Sequence, residues 1–167
     1  VMSTYPKKPE DFLTPEKLAE LGKDRCAAAA YIMGECIPFN KLMGIEILEV
    51  TEVRALLKLP YTEQIVGDPF RPALHGGALA MLADTAGGTA ALAATGHGDK
   101  VSTLDMRIDY LRGANLKDTF AEALIVRAGS RAVVVRIHVY QEDASEPDGR
   151  LHVADSTAVF SVYATEG

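Results

Sequence analysis

The chain has 167 residues, of which 48% are hydrophobic and 24% charged, and its formal net charge is -6. This length and composition fit one globular domain with a sizeable core. The acidic balance argues against a general nucleic-acid-binding protein, because affinity for the phosphate backbone depends largely on clustered Lys and Arg. We therefore expect any anionic ligand to be held by a few local basic groups.

A helix start is visible near the N-terminus at Thr14-Pro15-Glu16. Thr14 is a good N-cap, Pro15 lacks an N–H that would have no partner at the first helical position, and Glu16 interacts favourably with the positive end of the helix dipole. The pattern predicts a helix over residues 15–33.

The two cysteines, Cys26 and Cys36, are predicted to be small core residues of a reduced protein. On one helix they would stand roughly 15 Å apart along the axis, which exceeds the Cα separation that a disulfide allows. The N-terminal stretch VMSTYPKKPEDF also lacks the apolar core of a secretory signal. These features predict a cytoplasmic location.

A hairpin and then a long loop are predicted next. Residues 44–60, GIEILEVTEVRALLKLP, hold two runs rich in Ile, Val and Leu with Thr51-Glu52 between them. Residues 60–74, PYTEQIVGDPFRPAL, contain three prolines and a glycine and are predicted to form a loop. Long loops often carry function.

An apolar helix rich in Ala and Gly is predicted from Gly76 to about Thr95, followed by the stop signal Gly96-His97-Gly98. Its length is near that of a membrane span, but Asp84 lies near its middle. A central Asp costs a spanning helix about 2.5–3.5 kcal/mol. We therefore interpret this segment as a buried helix of a soluble domain, with no membrane partner.

Four strand-like segments follow the helix, and much of each alternates between apolar and polar residues. They are KVSTLDMRIDYL, LKDTFAEALIVRA, SRAVVVRIHVYQED and RLHVADSTAVFSVYA. Short connections favour antiparallel neighbours. The order of elements predicts an α+β fold in which an antiparallel sheet of about six strands wraps around one long central helix, with an extra N-terminal helix.

The HGG segment at residues 75–77 and Asp84 form a candidate catalytic pair. Free N–H groups at a helix start stabilise a carbonyl oxygen that gains negative charge, and glycines permit close approach. HGG alone is more simply a turn. Asp84 favours function, because burying an unpaired carboxylate costs several kcal/mol. The structural alternative is an Asp at an interface between two helices, satisfied by an N–H or a hydroxyl, such as that of Thr85 or Thr89.

The spacing of this pair predicts two subunits. Asp84 lies roughly 12 Å along the helix axis from Gly76, whereas a nucleophile must lie about 3–3.5 Å from the carbon that it attacks. A second, antiparallel copy brings its Asp84 beside the first Gly76 and gives two identical sites in a C2 dimer. We expect a homodimer, or a homotetramer formed as a dimer of dimers.

Three motifs occur in this order of elements: HGG followed by LAD at residues 82–84, DMRIDYL at 105–111, and GSR at 129–131. Together they resemble the hotdog-fold acyl-CoA thioesterases of the phenylacetic-acid-degradation (PaaI-like) type. The resemblance covers roughly residues 38–164. We therefore divide the chain into an N-terminal helical extension, residues 1–37, and a hotdog thioesterase domain, residues 38–167.

The resemblance implies an enzyme that hydrolyses the thioester between coenzyme A and an acyl or aryl-acyl group, without a cofactor. It implies that the N–H of Gly76 contacts the thioester carbonyl, with Gly77 in the same turn. Asp84 of the partner subunit would act as general base or nucleophile. The ring of His75 is expected to hold the loop before the helix by hydrogen bonds.

The resemblance also suggests further catalytic residues. Relatives use an Asn in the loop before the helix, and the nearest candidate here is Asp68, an acid in place of an amide. A hydroxyl from the strand after the helix also takes part in relatives, and Ser102 or Thr103 can supply it. We assign Thr103 to the catalytic group and Ser102 to substrate binding.

For the phosphates of coenzyme A we favour Arg112 and Arg131 among the arginines of the strand region, because both flank turns. Ser130 joins the predicted substrate-binding group. No metal site is predicted, since His97, His138 and His152 show no metal-ligand spacing.

Two other functions are compatible with the same sequence. The first is a non-catalytic acyl-CoA binding or sensing protein on the same fold, since a fold does not determine a function. The second is a hotdog hydratase, but the close Asp and His pair expected of that class is not seen.

Overall fold

The computed structural model describes residues 13–68, 70–96 and 99–163. The helices of these ranges are α1 (Pro15–Leu21), α2 (Arg25–Tyr31), α3 (Pro38–Leu42) and α4 (Gly76–Ala94). The strands are β1 (Glu46–Val50), β2 (Arg54–Leu59), β3 (Val66–Asp68), β4 (Ala73–Leu74), β5 (Lys100–Tyr110), β6 (Thr119–Ala128), β7 (Ala132–Glu142) and β8 (Arg150–Tyr163).

Six strands form one sheet in the order β1-β2-β6-β7-β8-β5, and every neighbouring pair is antiparallel. One face of the sheet packs on α4. On β7 this face carries Val133, Val135, Ile137 and Val139, all with no exposed surface. The α+β hotdog arrangement predicted from the sequence, a six-stranded antiparallel sheet around one long helix, is confirmed.

Small residues allow α4 to serve as the core helix. Twelve of its 19 residues are buried. A Cβ on Gly87 would lie only 2.9 Å from Cζ of Phe160 on β8, so the sheet approaches the helix backbone closely here. By length and composition α4 could span a membrane, but 67% of its most apolar 18-residue stretch is buried within the fold. This agrees with its interpretation as a buried core helix.

The N-terminal segment differs from the continuous helix predicted over residues 15–33. The chain turns out of α1 at Gly22, which has a positive φ of 58° and so suits glycine. The carboxylate of Asp24 then accepts two backbone N–H groups at the start of α2. A π-helical turn over Ile32–Cys36 precedes α3. The prediction was wrong because it passed over a C-terminal glycine and an N-cap within the segment.

The N-terminal segment packs on α4. Ala29 of α2 is fully buried, and Cε of Met33 lies 3.6 Å from the position of a Cβ on Gly88. Cys36 is buried and Cys26 is half-buried, and burial raises the pKa of both thiols. This segment therefore covers α4 on one side.

The predicted loop over residues 60–74 contains regular structure. A 3-10 turn at Glu63–Ile65 leads into the small β3-β4 hairpin, while Pro69 lies outside the described residues. The N–H of His75 donates to the carbonyl of Ile65 at 2.8 Å. A Cβ on Gly67 would stand 2.5 Å from Cα of His75, so only glycine fits there. These contacts fix the position at which α4 begins.

The predicted hairpin is present, and α4 ends close to its predicted end. The hairpin predicted around residues 51–52 is confirmed as β1 and β2. Helix α4 ends at Ala94 with Thr95 as its C-cap, one residue before the predicted end. Two residues of the predicted stop signal, His97 and Gly98, lie outside the described residues.

Strand β5 forms one edge of the six-stranded sheet and contains a bulge. Its pairing with β8 shifts between Thr103 and Asp105, so one extra residue is inserted in β5. In a regular strand, Thr103 and Tyr110 would face opposite sides, because their numbers differ by an odd count. The bulge reverses that alternation, and both side chains contact α4.

Candidate active site

Asp84 is held by the edge strand. Its Oδ1 accepts a hydrogen bond from Oγ1 of Thr103 at 2.8 Å, and the side chain is half-buried. Within one subunit neither Thr85 nor Thr89 bonds to Asp84, because the hydroxyl of Thr89 donates to the carbonyl of Thr85 and the hydroxyl of Thr85 contacts Sδ of Met81. Within the described ranges, Asp84 has no ion-pair partner.

A pocket of about 580 Å³ opens beside Asp84. Its polar residues include Ser102 and Thr103 of β5. Its apolar lining comes from the N-terminal segment, α3, α4, β5 and β8, and consists of Met33, Ile37, Phe39, Met81, Val101 and Phe160. Sequence reasoning missed the contribution of the N-terminal segment, which lies outside the family resemblance and carries no motif.

At the start of α4, one N–H is capped and another remains available. Nδ1 of His75 accepts a hydrogen bond from the N–H of Gly77 at 2.8 Å, so the ring holds the turn and Gly77 is occupied. None of the hydrogen bonds made by the described residues uses the N–H of Gly76. This N–H, at the positive end of the helix dipole, is the donor that a carbonyl oxygen can reach.

Tyr110 covers the start of α4, and sequence reasoning missed it as a site residue. Its hydroxyl donates to the carbonyl of Gly76 at 3.0 Å. A Cβ on Gly76 would lie 3.2 Å from Cε1 of Tyr110, so a side chain would crowd the ring. Tyr110 belongs to the DMRIDYL motif, but its orientation depends on the bulge in β5, which the sequence does not reveal.

The two halves of the predicted site therefore lie apart on one subunit. Tyr110 contacts Gly76, while Thr103 contacts Asp84 two turns further along α4. Eight residues of helix separate the donor and the carboxylate by about 12 Å. One subunit cannot place both groups against the same carbonyl carbon.

Asp68 organises the loop before α4. Its Oδ1 accepts the N–H groups of Phe70 and Arg71, and its Oδ2 lies 3.2 Å from Nε of Arg71. Hydrogen bonds from the backbone of Arg71 and Phe70 lower the pKa of Asp68. These contacts lie inside the loop, so a catalytic role for Asp68 stays a prediction.

The two arginines predicted to contact coenzyme A lie at opposite ends of β5. Arg112 lies two residues after the end of the strand, and its Nη1 lies 3.3 Å from Oε1 of Glu146. The Ser130-Arg131 turn lies at the other end, where the carbonyl of Arg131 accepts the N–H of Val162, which pairs with Val101. Arg112 is thus near the Gly76 end and Arg131 near the Asp84 end of the strand.

Comparisons with known proteins identify the family of this chain. A family model described as "Thioesterase superfamily" matches residues 72–147. The chain is 27% identical over 139 residues to the medium/long-chain acyl-CoA thioesterase YigI of Salmonella typhimurium, covering 75% of this chain and 86% of that protein. It is 33% identical over 101 residues to the putative esterase ComA2 of Bacillus subtilis, covering 60% of this chain and 79% of that protein.

A solved structure shows the same fold. The thioesterase family protein from Silicibacter pomeroyi superposes with a TM-score of 0.74 at 21% identity, covering 84% of this chain and 99% of that chain. The region matched by the family model contains the HGG turn, all of α4 with Asp84, and strand β5. On these matches, the chain belongs to the thioesterase superfamily.

Proposed function

We propose that this protein hydrolyses acyl-CoA thioesters to the free acid and coenzyme A. The observation that carries the proposal is the Asp84 carboxylate, bonded to Thr103 and opening onto a largely apolar pocket. The activity named for the YigI relative supports the same substrate class. The phenylacetic-acid-degradation subtype stays a prediction.

The proposed active site is shared by two subunits, and the edge strand supports this. On its free side β5 has no partner among the described strands, and Leu104 on it is 63% exposed. Exposed edge strands readily pair with another chain. Antiparallel pairing of two β5 strands about a point between Met106 and Arg107 places Thr103 of one subunit opposite Tyr110 of the other.

This pairing assembles the site. Thr103 holds Asp84, and Tyr110 covers Gly76. The proposed homodimer therefore brings the carboxylate of one subunit beside the free N–H of the partner's helix start, twice per dimer. It also brings Arg131 of one subunit towards the same end of the interface as Arg112 of the other. A dimer of dimers stays the predicted larger assembly.

In the proposed reaction, the Gly76 N–H binds the thioester carbonyl oxygen and stabilises the charge that develops on it. As a general base, Asp84 removes a proton from water while the water oxygen attacks the carbonyl carbon. The carbon–sulfur bond then breaks and coenzyme A leaves as a thiolate, which takes up a proton. As a nucleophile, Asp84 would instead form an acyl anhydride that water hydrolyses.

The pocket beside Asp84 suits an aliphatic acyl chain. Its walls include two methionines and two phenylalanines, and apolar surface of this kind favours burial of hydrocarbon. We therefore propose medium or long acyl chains as substrates, in line with the name of the YigI relative. A cytoplasmic location is part of the same proposal.

Hydrolysis of a panel of short-chain, medium-chain, long-chain and aryl-acyl CoA esters tests the function, with release of the coenzyme A thiol as the readout. Turnover that is highest on medium or long chains supports the proposal. Tight binding of an ester that is never hydrolysed supports the non-catalytic binding or sensing alternative. Highest turnover on aryl-acyl esters supports the phenylacetic-acid-degradation subtype and contradicts the acyl-chain assignment.

A further inference from the structure

A cluster of potential metal ligands lies on the face of the sheet that points away from α4. On β7, Ile137 and Val139 are fully buried towards the helix, so His138 between them faces outwards. Asp155 on β8 pairs directly with His138. Nδ1 of His138 lies 2.8 Å from Oδ1 of Asp155.

His152 joins this pair because the pairing of β7 with β8 is irregular. The register shifts between Val139 and Tyr140, so Val139 pairs with Ala154 but Tyr140 pairs with His152. In a regular strand, His152 and Asp155 would face opposite sides, since their numbers differ by three. The irregularity returns His152 to the outer face, and the two imidazole centroids are 6.0 Å apart.

The three side chains converge closely enough to share one ion. One donor atom from each of His138, His152 and Asp155 lies within 4.8 Å of the other two, and all three side chains are partly buried. Two imidazoles and one carboxylate are ligands that Zn²⁺ accepts. In tetrahedral geometry with bonds of about 2.0–2.2 Å, neighbouring donors stand about 3.4 Å apart.

Four residues on adjacent strands, Glu122, His138, Asp155 and Asp109, form one row across the sheet. Among the three acids of this row, Asp155 differs in its ion-pair partner. Glu122, on the far side of His138, is bound by two arginines. Asp109, on the far side of Asp155, lies 3.0 Å from Nη2 of Arg107. In the part of the chain that the structure describes, Asp155 has His138 as its ion-pair partner and no arginine. Its carboxylate can therefore exchange a hydrogen bond for a metal bond without releasing an arginine.

We propose that His138, His152 and Asp155 bind one Zn²⁺ ion on the outer face of the sheet. The ion replaces the hydrogen bond between His138 and Asp155. The fourth position is taken by water or by the carboxylate of Asp148, whose Oδ2 lies 3.4 Å from Nε2 of His152. Because the sheet separates this site from α4, the ion joins β7 to β8 and takes no part in hydrolysis.

Linear spacing indicated no metal site because the two histidines are 14 residues apart on different strands. Pairing of those strands creates the cluster. The proposal does not depend on the thioesterase activity, and its test uses metal binding rather than turnover as the readout.

The test is calorimetric titration of Zn²⁺ into the metal-free full chain. We expect one Zn²⁺ per wild-type chain and at least about 10–100-fold weaker binding after His138→Ala or Asp155→Asn, since loss of even a supporting residue has effects of that size. Asp109→Asn is the matched control. It removes a carboxylate from the same row of the sheet, but Arg107 already binds that carboxylate. We therefore expect the Kd of this variant for Zn²⁺ to stay within about threefold of the wild-type value.

Circular dichroism of each variant verifies the fold, and His152→Ala provides a second ligand deletion if either first variant fails to fold. The proposal is overturned if wild type shows no binding at about 100 µM Zn²⁺. It is also overturned if folded ligand variants bind as tightly as wild type, or if Asp109→Asn weakens binding as much as Asp155→Asn does.

Discussion

The hydroxyl of Thr103 lies 2.8 Å from the carboxylate of Asp84 and connects the edge strand β5 to the core helix α4. This bond occupies one carboxylate oxygen and leaves the other for water or substrate. Because the bond joins the carboxylate to the outermost strand of the sheet, Asp84 lies where a second subunit can approach it.

Asp84→Asn should lower kcat on the best acyl-CoA ester at least about 10²-fold, the low end for removal of a general base. Asn keeps the shape of the side chain and an oxygen that accepts from Thr103. Thr103→Val should reduce kcat less, because it removes the positioning bond and leaves the carboxylate. Steady-state kinetics measure both effects, and a loss of under about tenfold in Asp84→Asn would contradict the assignment.

A mixed dimer of Asp84→Asn and Gly76→Pro subunits should regain activity at one of its two sites, although each variant alone is inactive. Proline removes the N–H that binds the carbonyl oxygen and suits the first position of a helix, although the Tyr110 ring, 3.2 Å from a Cβ on residue 76, must shift slightly. His75 already has a φ of -66° and a ψ of 129°, which suit a residue before proline. Co-expression with two different tags isolates the heterodimer.

A verified heterodimer with no activity above the parent variants would argue against the shared site. Size measurement in solution provides the control, since a protein that stays monomeric at assay concentration cannot form the interface at all.

Arg112→Ala and Arg131→Ala should each raise KM more than they lower kcat for a full coenzyme A ester. Charge-assisted bonds to phosphates act on binding far from the reacting carbon. A truncated thioester without the nucleotide should be nearly indifferent to both changes. Arg107→Ala is the control, because that arginine lies within β5 and away from both turns. Equal losses on both substrates would assign Arg112 and Arg131 to structural roles.

Gly87→Ala and Gly88→Ala should change stability in opposite directions. A Cβ on Gly87 would lie 2.9 Å from Cζ of Phe160, so overpacking should cost about 1–3 kcal/mol. A Cβ on Gly88 would lie 3.6 Å from its nearest neighbours, which is an ordinary van der Waals contact. The higher helix propensity of Ala should therefore stabilise the fold by up to about 1 kcal/mol. Urea denaturation at one protein concentration compares them, and equal shifts would contradict the packing argument.

Glu122→Gln should destabilise the fold by about 1–3 kcal/mol near neutral pH, through loss of charge-assisted bonds to Arg54 and Arg150. Burial raises the pKa of Glu122, but the two arginines outweigh it and lower the pKa below its usual value. A carboxyl group whose pKa is lowered by folding stabilises the folded state at pH values above its pKa in the unfolded chain. This stabilisation is lost as the pH falls through the pKa of the folded state.

Urea denaturation at a series of pH values measures this linkage. The difference in the free energy of unfolding between wild type and Glu122→Gln should shrink as the pH falls below about 4. A difference that stays constant with pH would show that the arginines stabilise the fold without depending on the charge of Glu122.

The sequence by itself determined most of the elements and supplied the candidate site residues. Period-2 alternation identified the strands, and small residues identified α4 as a buried helix, because both patterns arise from local burial. Asp84 was recognisable as an isolated charge in an apolar helix. The break of the N-terminal helix at Gly22 and the cap at Asp24 were also local signals, which the prediction of one continuous helix passed over.

The tertiary structure alone decided which side chains meet. A bulge turns both Thr103 and Tyr110 towards α4, and a shift between β7 and β8 turns His152 towards Asp155. Strand register is set by pairing with a distant segment, so one inserted residue reverses the facing of every residue beyond it. Packing of Met33 over Gly88 similarly made the N-terminal segment a wall of the Asp84 pocket, a contact between segments far apart in the chain.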